Sequence, residues 1–214
     1  MVCTGILTLT EVLYRSFYLP GYIEGYTMGV NFGSYLDYWL LGQSGNVYVF
    51  INWLPTAVHT LLGVVLGKWL MDRAQVLPRF LLTAGICLLF GYLLALSGFT
   101  PLIKPITTSS FVLVSAGYVI LLLAALHYLV DQRGLSRGIF FFQVVGMNSI
   151  FIYLFFDIVG RRWFNTYATQ LLSPLHDNFG LPVSLFLIVT SLGIFAAEWG
   201  LCYFLYRKNI FFKL

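Results

Sequence analysis

Long apolar stretches follow one another along the chain, with only short polar turns between them. A membrane-spanning helix needs about 20 consecutive, mostly apolar residues. Four stretches reach that length easily, at residues 47–71, 77–98, 107–130 and 181–206. A fifth, residues 139–160, qualifies although it contains Asn148 and Asp157. Because only helices and closed barrels cross a bilayer, this pattern predicts an all-α, polytopic transmembrane helical bundle.

The composition agrees with lipid as the solvent for most of the chain. Of its 214 residues, 59% are hydrophobic and 9% are charged, whereas soluble domains carry about 25% charged residues. The lipid bilayer is therefore a predicted partner, and the net charge of +4 needs no nucleic acid to explain it. The cysteines and histidines lack ligand spacing, so no metal site is predicted. We find no internal repeat or linker, which predicts a single transmembrane domain over residues 1–214.

The opening stretch, residues 2–19, is shorter than a full span and holds two charged residues. Glu11 and Arg15 are four residues apart, so a helix places them on one face. A membrane-buried pair of this kind is a candidate functional site. A mutually neutralising pair near the interface is the simpler alternative. We therefore expect a partial first helix and about five full spanning helices.

The basic residues predict the orientation of the chain in the membrane. Placing the turn at residues 72–79 in the cytoplasm puts eight of the 12 Lys and Arg residues on that side. These are Lys68, Arg73, Arg79, Arg133, Arg137, Arg207, Lys208 and Lys213. We predict an integral, multi-pass membrane protein with a cytoplasmic C-terminus. Residues 20–46, 99–106 and 161–180 then form the external regions.

Asn148 is the polar residue that most needs an explanation, because an amide in hydrocarbon is costly without hydrogen-bond partners. Its predicted depth is close to the bilayer centre. Gly146, two residues before it, allows another helix or a ligand to approach closely. Two interpretations remain open. Asn148 either bonds a neighbouring helix or lines a passage for a substrate.

Other polar residues are candidates for substrate binding. His59 lies near the predicted mid-membrane, where a histidine can relay protons, bind an acyl group or bond a neighbour. Thr108, Ser109 and Ser110 open a helix and can cap its first amides. Together with Lys104, the same groups can hold an anion or a sugar hydroxyl.

Three further patterns concern packing and charge. Gly63 and Gly67 form a GxxxG motif, which favours close packing of helices. Asp157 has Arg161 four residues later as its natural partner. Glu198 lies in the inner half of the last span, where a carboxylate needs either a proton or a partner.

Five short motifs stand in a characteristic order along the chain. They are PTAVHTLLGVVLG (Pro55–Gly67), PLIK (Pro101–Lys104), TSSF (Thr108–Phe111), GMN (Gly146–Asn148) and LYRKNIFFKL (Leu205–Leu214). In this order they resemble the C-terminal half of the family of heparan-α-glucosaminide N-acetyltransferase and the bacterial NagX-type membrane acyltransferases. The chain departs from the family pattern at VFINWL (residues 49–54), where the family has Asp-Pro-Glu-Gly.

The resemblance implies an enzyme that takes an acetyl group from cytoplasmic acetyl-CoA and delivers it to an amino sugar or oligosaccharide across the membrane. It places the family's catalytic histidine in an N-terminal half, so His59 does not inherit that role and the catalytic residue is unknown. Asn148 and Lys104 are the predicted supporting residues. We expect Met1 to be an internal methionine of a longer protein, or the chain to be a truncated product. An N-terminal half or a second copy is then a predicted partner.

Two other functions remain open beside acyl transfer. The chain can be a transporter for a small sugar or acyl compound, with its intramembrane polar residues lining the path. It can also be a catalytically inactive membrane fragment, because five or six helices pack without a catalytic centre.

Overall fold

The computed structural model describes residues 2–17, 19–22, 25–43, 48–72, 75–135, 138–178 and 180–212. The contacts within the chain group it into two compact units, Met1–Gly134 and Leu135–Leu214. Helices make up the regular structure of the described residues, which contain no β-strand. The all-α prediction is therefore confirmed, and the single domain stays a prediction.

The first unit holds five helices within its described residues. They are α1 (Val2–Ser16), α2 (Phe32–Leu41), α3 (Trp53–Asp72), α4 (Val76–Leu96) and α5 (Ser109–Leu126). A short 3₁₀ turn, Phe50–Asn52, leads into α3, and a π-helical turn, His127–Gln132, extends α5.

The helices α4 and α5 form the most extensive helix pair of the first unit. A Cβ atom added at Gly91 would lie 2.6 Å from the Val114 side chain, and one added at Gly117 would lie 2.6 Å from that of Leu88. These two glycines therefore set the close approach of the helices. By contrast, no described neighbour comes within 4 Å of a Cβ added at either glycine of the GVVLG motif, residues 63–67. The packing predicted for that motif has no partner in the described residues.

Four helices in the described parts of the chain are long and apolar enough to cross a membrane. They are Phe50–Asp72, Val76–Leu96, Ser109–Gln132 and Val183–Arg207, and they match the four predicted stretches. The chain is therefore an integral membrane protein, and α1, with 15 residues, is the expected partial helix. The cytoplasmic C-terminus stays a prediction. Three residues on which it depends, Arg73, Arg137 and Lys213, lie outside the described residues.

The second unit contains one long helix and a series of shorter ones. Its helices are α6 (Ile139–Gly146), α7 (Ser149–Phe155), α8 (Asn165–Leu172), α9 (Pro174–Asp177) and α10 (Val183–Arg207). A π-helical segment, Phe156–Phe164, joins α7 directly to α8.

The fifth predicted span, residues 139–160, is not one straight helix. It breaks between Gly146 and Ser149, and the helical directions on the two sides differ by 71°. Asn148 has φ −129° and ψ 33°, which is outside helical geometry. Glycine weakens a helix, and asparagine competes for backbone hydrogen bonds, so a break at this point has a local cause. Beyond the break the helical path continues to Leu172, past the predicted end. Residues 161–172, which the sequence predicted as external, therefore belong to this bent pair of helices.

The region predicted as the first external loop, residues 20–46, contains the helix α2. The Asn31 side chain caps this helix by accepting a hydrogen bond from the Ser34 N–H at 2.9 Å. Within α2, the buried Asp37 carboxylate accepts a hydrogen bond from the Phe50 N–H at 2.8 Å. This contact ties α2 to the turn that leads into α3. The segment is therefore a packed part of the first unit.

Candidate functional site

The Glu11 carboxylate gathers donors from four parts of the first unit. Its Oε2 atom accepts hydrogen bonds from the hydroxyls of Tyr26, at 2.5 Å, and Thr100, at 3.0 Å. Its Oε1 atom accepts one from the Ser109 N–H at 3.4 Å. The Arg15 Nε atom lies 3.7 Å from Oε2, in the predicted ion pair. These donors, which with Glu11 we call the Glu11 cluster, provide the compensation that a buried negative charge needs.

Arg15 links the cluster to the turn after α4. Its Nε atom donates to the Tyr26 hydroxyl at 3.2 Å, and a terminal guanidinium nitrogen donates to the Phe99 carbonyl. The guanidinium carbon lies 3.6 Å from the centroid of the Phe99 ring, a cation–π contact. Burial and then the hydrogen bond to Glu11 raise the pKa of Tyr26 above its ordinary value of 10.0. The Tyr26 hydroxyl therefore remains a donor to Glu11 at neutral pH.

An apolar cavity of about 630 Å³ ends at the Glu11 cluster. Its walls come from α1, α4 and α5, and the apolar wall includes Leu7, Ile86, Phe90, Leu94 and Leu113. Glu11, Arg15 and Ser109 also line the cavity. Ligand sites commonly have volumes of about 300–1,000 Å³ and few polar groups. The cavity thus suits an apolar ligand or the apolar part of a larger one.

The three predicted hydroxyl residues lie at the start of α5, but their predicted capping role is wrong. The Thr108 and Ser110 hydroxyls both donate to the Pro101 carbonyl, at 2.7 and 2.9 Å, and they close the turn before the helix. The Ser109 N–H, one of the first amides of α5, is bonded to Glu11 instead. A carboxylate at a helix N-terminus complements the helix dipole, which explains why Glu11 replaces a local cap.

Lys104 belongs to the same turn, and its side chain is exposed. Its carbonyl accepts a hydrogen bond from the Thr107 N–H at 3.0 Å. The ammonium group makes no hydrogen bond to a described residue, so it is not part of the Glu11 cluster. The structure thus brings Lys104 and residues 108–110 into one turn, and their role in substrate binding stays a prediction.

His59 joins two helices of the first unit. Its Nε2 atom lies 2.9 Å from the Ser115 hydroxyl, which also donates to the Val112 carbonyl at 3.1 Å. This contact connects α3 to α5, as expected for a histidine that bonds a neighbour. The residues that line the 630 Å³ cavity do not include His59. Its substrate-binding role stays a prediction.

Asn148, in the second unit, holds the C-terminal segment against the helix break. The side chain is 0% exposed. Its amide nitrogen donates to the Ile210 carbonyl at 3.2 Å, and its amide oxygen accepts from the Phe212 N–H at 3.2 Å. The Phe212 ring stacks on Phe151, with the ring centroids 5.0 Å apart. The amide is thus satisfied by an extended segment rather than by a neighbouring helix, and substrate lining stays a prediction.

Sequence reasoning missed Tyr26 and Thr100 as parts of the site. They lie 15 and 89 residues from Glu11 in the sequence, and no local pattern points to either. The one available signal was Glu11 itself, because an intramembrane carboxylate requires partners. No group of three or more His, Cys, Asp or Glu side chains suited to a metal ion occurs among the described residues.

Comparison with known proteins supports the family link that the motifs predict. No family model matches the chain. The chain is 33% identical over 173 residues to the heparan-alpha-glucosaminide N-acetyltransferase of Homo sapiens. The match covers 75% of this chain and 24% of the relative, so the chain spans about a quarter of the relative's length. The similarity links the chain to this N-acetyltransferase, and the NagX-type relationship stays a prediction.

Proposed function

We propose that this chain is part of a membrane acyltransferase that transfers an acetyl group from acetyl-CoA to an amino sugar. The similarity to a human N-acetyltransferase over 75% of the chain is the observation that carries the proposal. The Glu11 cluster at the end of an apolar cavity supplies groups suited to the chemistry. The catalytic histidine implied by the family resemblance would come from an N-terminal half.

Acyl transfer to an amine requires that a proton leave the amine nitrogen. Acetyl-CoA would supply the acetyl group as a thioester. The amine nitrogen would bond to the acetyl carbon, the carbon–sulfur bond would break, and the CoA thiolate would leave and take up a proton to become the thiol. Glu11 lines the end of the cavity, and its carboxylate accepts the amine proton in this proposal. The Tyr26 and Thr100 hydroxyls hold the carboxylate in place. Arg15 lines the same end, and its positive charge would stabilise negative charge that develops there.

The direct test measures transfer of labelled acetyl groups from acetyl-CoA to glucosamine. It uses membranes that contain the chain, alone and together with any segment encoded upstream in frame. Glu11→Gln is expected to lower the rate about 100-fold or more, because a positioned base contributes at least that factor. The glutamine side chain is similar in size and still accepts hydrogen bonds through its oxygen.

The matched control is Asp157→Asn, which removes an exposed carboxylate of the second unit paired with Arg161 at 3.4 Å. This variant should transfer acetyl groups at the rate of the unmodified chain. If the complete assembly acetylates no amino sugar, the proposal is wrong. If Asp157→Asn and Glu11→Gln lower the rate equally, the assignment of Glu11 as the base is wrong.

Small-solute transport is a second candidate, favoured by the break at Asn148. Discontinuous helices form the substrate sites of many transporters. Uptake of a labelled sugar into proteoliposomes without acetyl-CoA would support transport over acyl transfer. If neither uptake nor acetylation occurs, an inactive membrane fragment is the remaining interpretation.

A further inference from the structure

Glu198 is an intramembrane carboxylate of the second unit, in the spanning helix α10. At 1.5 Å per residue it lies about 14 Å from the Arg207 end of that helix, close to the middle of a hydrocarbon core about 30 Å thick. Its Oε1 atom is buried, and no described group forms a hydrogen bond with it. An ionised carboxylate is costly at such a position unless donors compensate its charge.

Asn165 provides a second buried acceptor of the same kind. Its Oδ1 atom also has no hydrogen-bond partner in the described part of the chain. Both oxygens face Gly160. A Cβ atom added there would lie 3.4 Å from Glu198 Oε1 and 3.7 Å from Asn165 Oδ1. Two acceptors that face the same small space are unfavourable unless a hydrogen lies between them.

The backbone around Gly160 has an unusual geometry. Gly160 lies in the π-helical segment Phe156–Phe164. Turns of this kind are rare and are frequent at functional sites. Gly160 is not among the glycines with positive φ, so its backbone torsion does not require a glycine. A Cβ atom at this position would make ordinary van der Waals contacts with the two oxygens, so both lie directly beside the Gly160 backbone.

Described charged groups do not compensate Glu198. The helical segments that pack against α10 or adjoin Gly160 carry Asp157, Arg161, Arg162, Tyr167, His176 and Asp177. His176 is half-buried and bonds the Leu181 carbonyl at 2.6 Å, whereas the others are exposed. On α10 itself, the buried Cys202 thiol lies one turn after Glu198. None of these groups donates a hydrogen bond to the Glu198 carboxyl group.

We propose that Glu198 and Asn165 form an intramembrane proton-binding site, in which the carboxylic acid of Glu198 donates a hydrogen bond to Asn165 Oδ1. A single proton then satisfies both buried acceptors. When that proton leaves to solvent, a carboxylate faces an amide oxygen. Rotation of the Asn165 amide therefore accompanies release, because it presents the NH₂ group to the carboxylate. This site is independent of the proposed acyl transfer.

Infrared difference spectroscopy of the whole chain in lipid, with ¹³C-labelled glutamate, tests the proposal. Carboxylic acids and carboxylates absorb in separate bands. At neutral pH we expect one protonated glutamate band, which Glu198→Gln removes and Glu11→Gln leaves in place. Asn165→Leu should shift this band to higher frequency, because the acid loses its acceptor. Glu198→Gln is expected to fold, since the glutamine amide can donate to Asn165 Oδ1.

Three results would overturn the proposal. The first is no protonated glutamate band at neutral pH, and the second is such a band that survives Glu198→Gln. The third is a glutamate carboxylate band that shifts on addition of sodium ions and that Glu198→Gln removes. That result would identify a cation site in place of a proton site. An unchanged acid band in Asn165→Leu would remove Asn165 from the site.

Discussion

Glu11 in the first unit and Glu198 in the second place the same side chain in apolar surroundings, with different neighbours. Glu11 has two hydroxyls, an N–H group and a guanidinium around its carboxylate. Glu198 Oε1 lies beside Gly160, as does the buried Asn165 oxygen, and it has no donor among the described residues. The donors that the fold supplies therefore decide what a membrane carboxylate can do. The donors around Glu11 fix the orientation of its carboxyl group beside the cavity, whereas the second acceptor near Glu198 favours a proton there.

The largest expected effect is the difference in stability between two variants in which each glutamate is replaced by leucine. Glu11→Leu leaves the donors of Tyr26, Thr100 and Ser109 without their acceptor. Removing one partner of a buried charge pair costs about 3–5 kcal/mol. The Arg15 side chain is 38% exposed, so we expect the lower end, about 3 kcal/mol. Glu198→Leu leaves only the Asn165 oxygen without its partner and should lower the free energy of unfolding by about 1 kcal/mol.

Thermal unfolding in detergent measures both changes. The comparison requires a clearly lower melting temperature for Glu11→Leu than for Glu198→Leu. If the two variants lose equal stability, the contrast between a compensated and an uncompensated carboxylate is wrong.

Asn148→Leu should have the next largest effect. It tests whether the Asn148 amide stabilises the second unit, as the Glu11 cluster stabilises the first. The substitution removes two hydrogen bonds to the C-terminal segment, worth about 1 kcal/mol each. We expect a loss of about 2 kcal/mol and faster trypsin cleavage after Lys208, because the segment that follows is released. The exposed Asn178→Leu is the control and should change neither quantity. Slow cleavage in Asn148→Leu would show that other contacts hold the segment.

The smallest predicted effect is the change in the pH dependence of stability caused by Tyr26→Phe, which is seen at alkaline pH. Burial and the hydrogen bond to Glu11 raise the pKa of Tyr26 in the folded state above 10.0. A raised folded-state pKa contributes stability that is complete below the unfolded value, near pH 10, and is lost as pH rises through the folded value. Tyr26→Phe should therefore flatten the fall in melting temperature above pH 10. The exposed Tyr167→Phe should leave that fall unchanged, and equal slopes in both variants would contradict the coupling to Glu11.

The parts of the fold that depend on local pattern were predictable. Hydropathy over about 20 residues located four spans, and spacing of four placed Glu11 beside Arg15 and Asp157 beside Arg161. Hydropathy and four-residue spacing both depend on residues that are close in sequence, so they can be read without knowledge of the tertiary structure.

The rest of the site depends on contacts between distant residues. Thr100 reaches Glu11 across 89 residues, and Asn148 bonds Ile210 across 62. The sequence also failed to predict the helix break at Asn148. The residues on both sides of it are apolar, so mean hydropathy stays high across the break. Its two bonds to the C-terminal segment explain why the break is stable there, and only the folded chain shows them.

The most direct measurement of the central claim compares acetyl transfer by Glu11→Gln and Glu198→Gln in the same membranes. In the proposed function the Glu11 cluster, and not Glu198, carries the proton-accepting chemistry. We predict a loss of about 100-fold or more for Glu11→Gln and a rate close to that of the unmodified chain for Glu198→Gln. Equal rates in the two variants, or a larger loss in Glu198→Gln, would contradict the account.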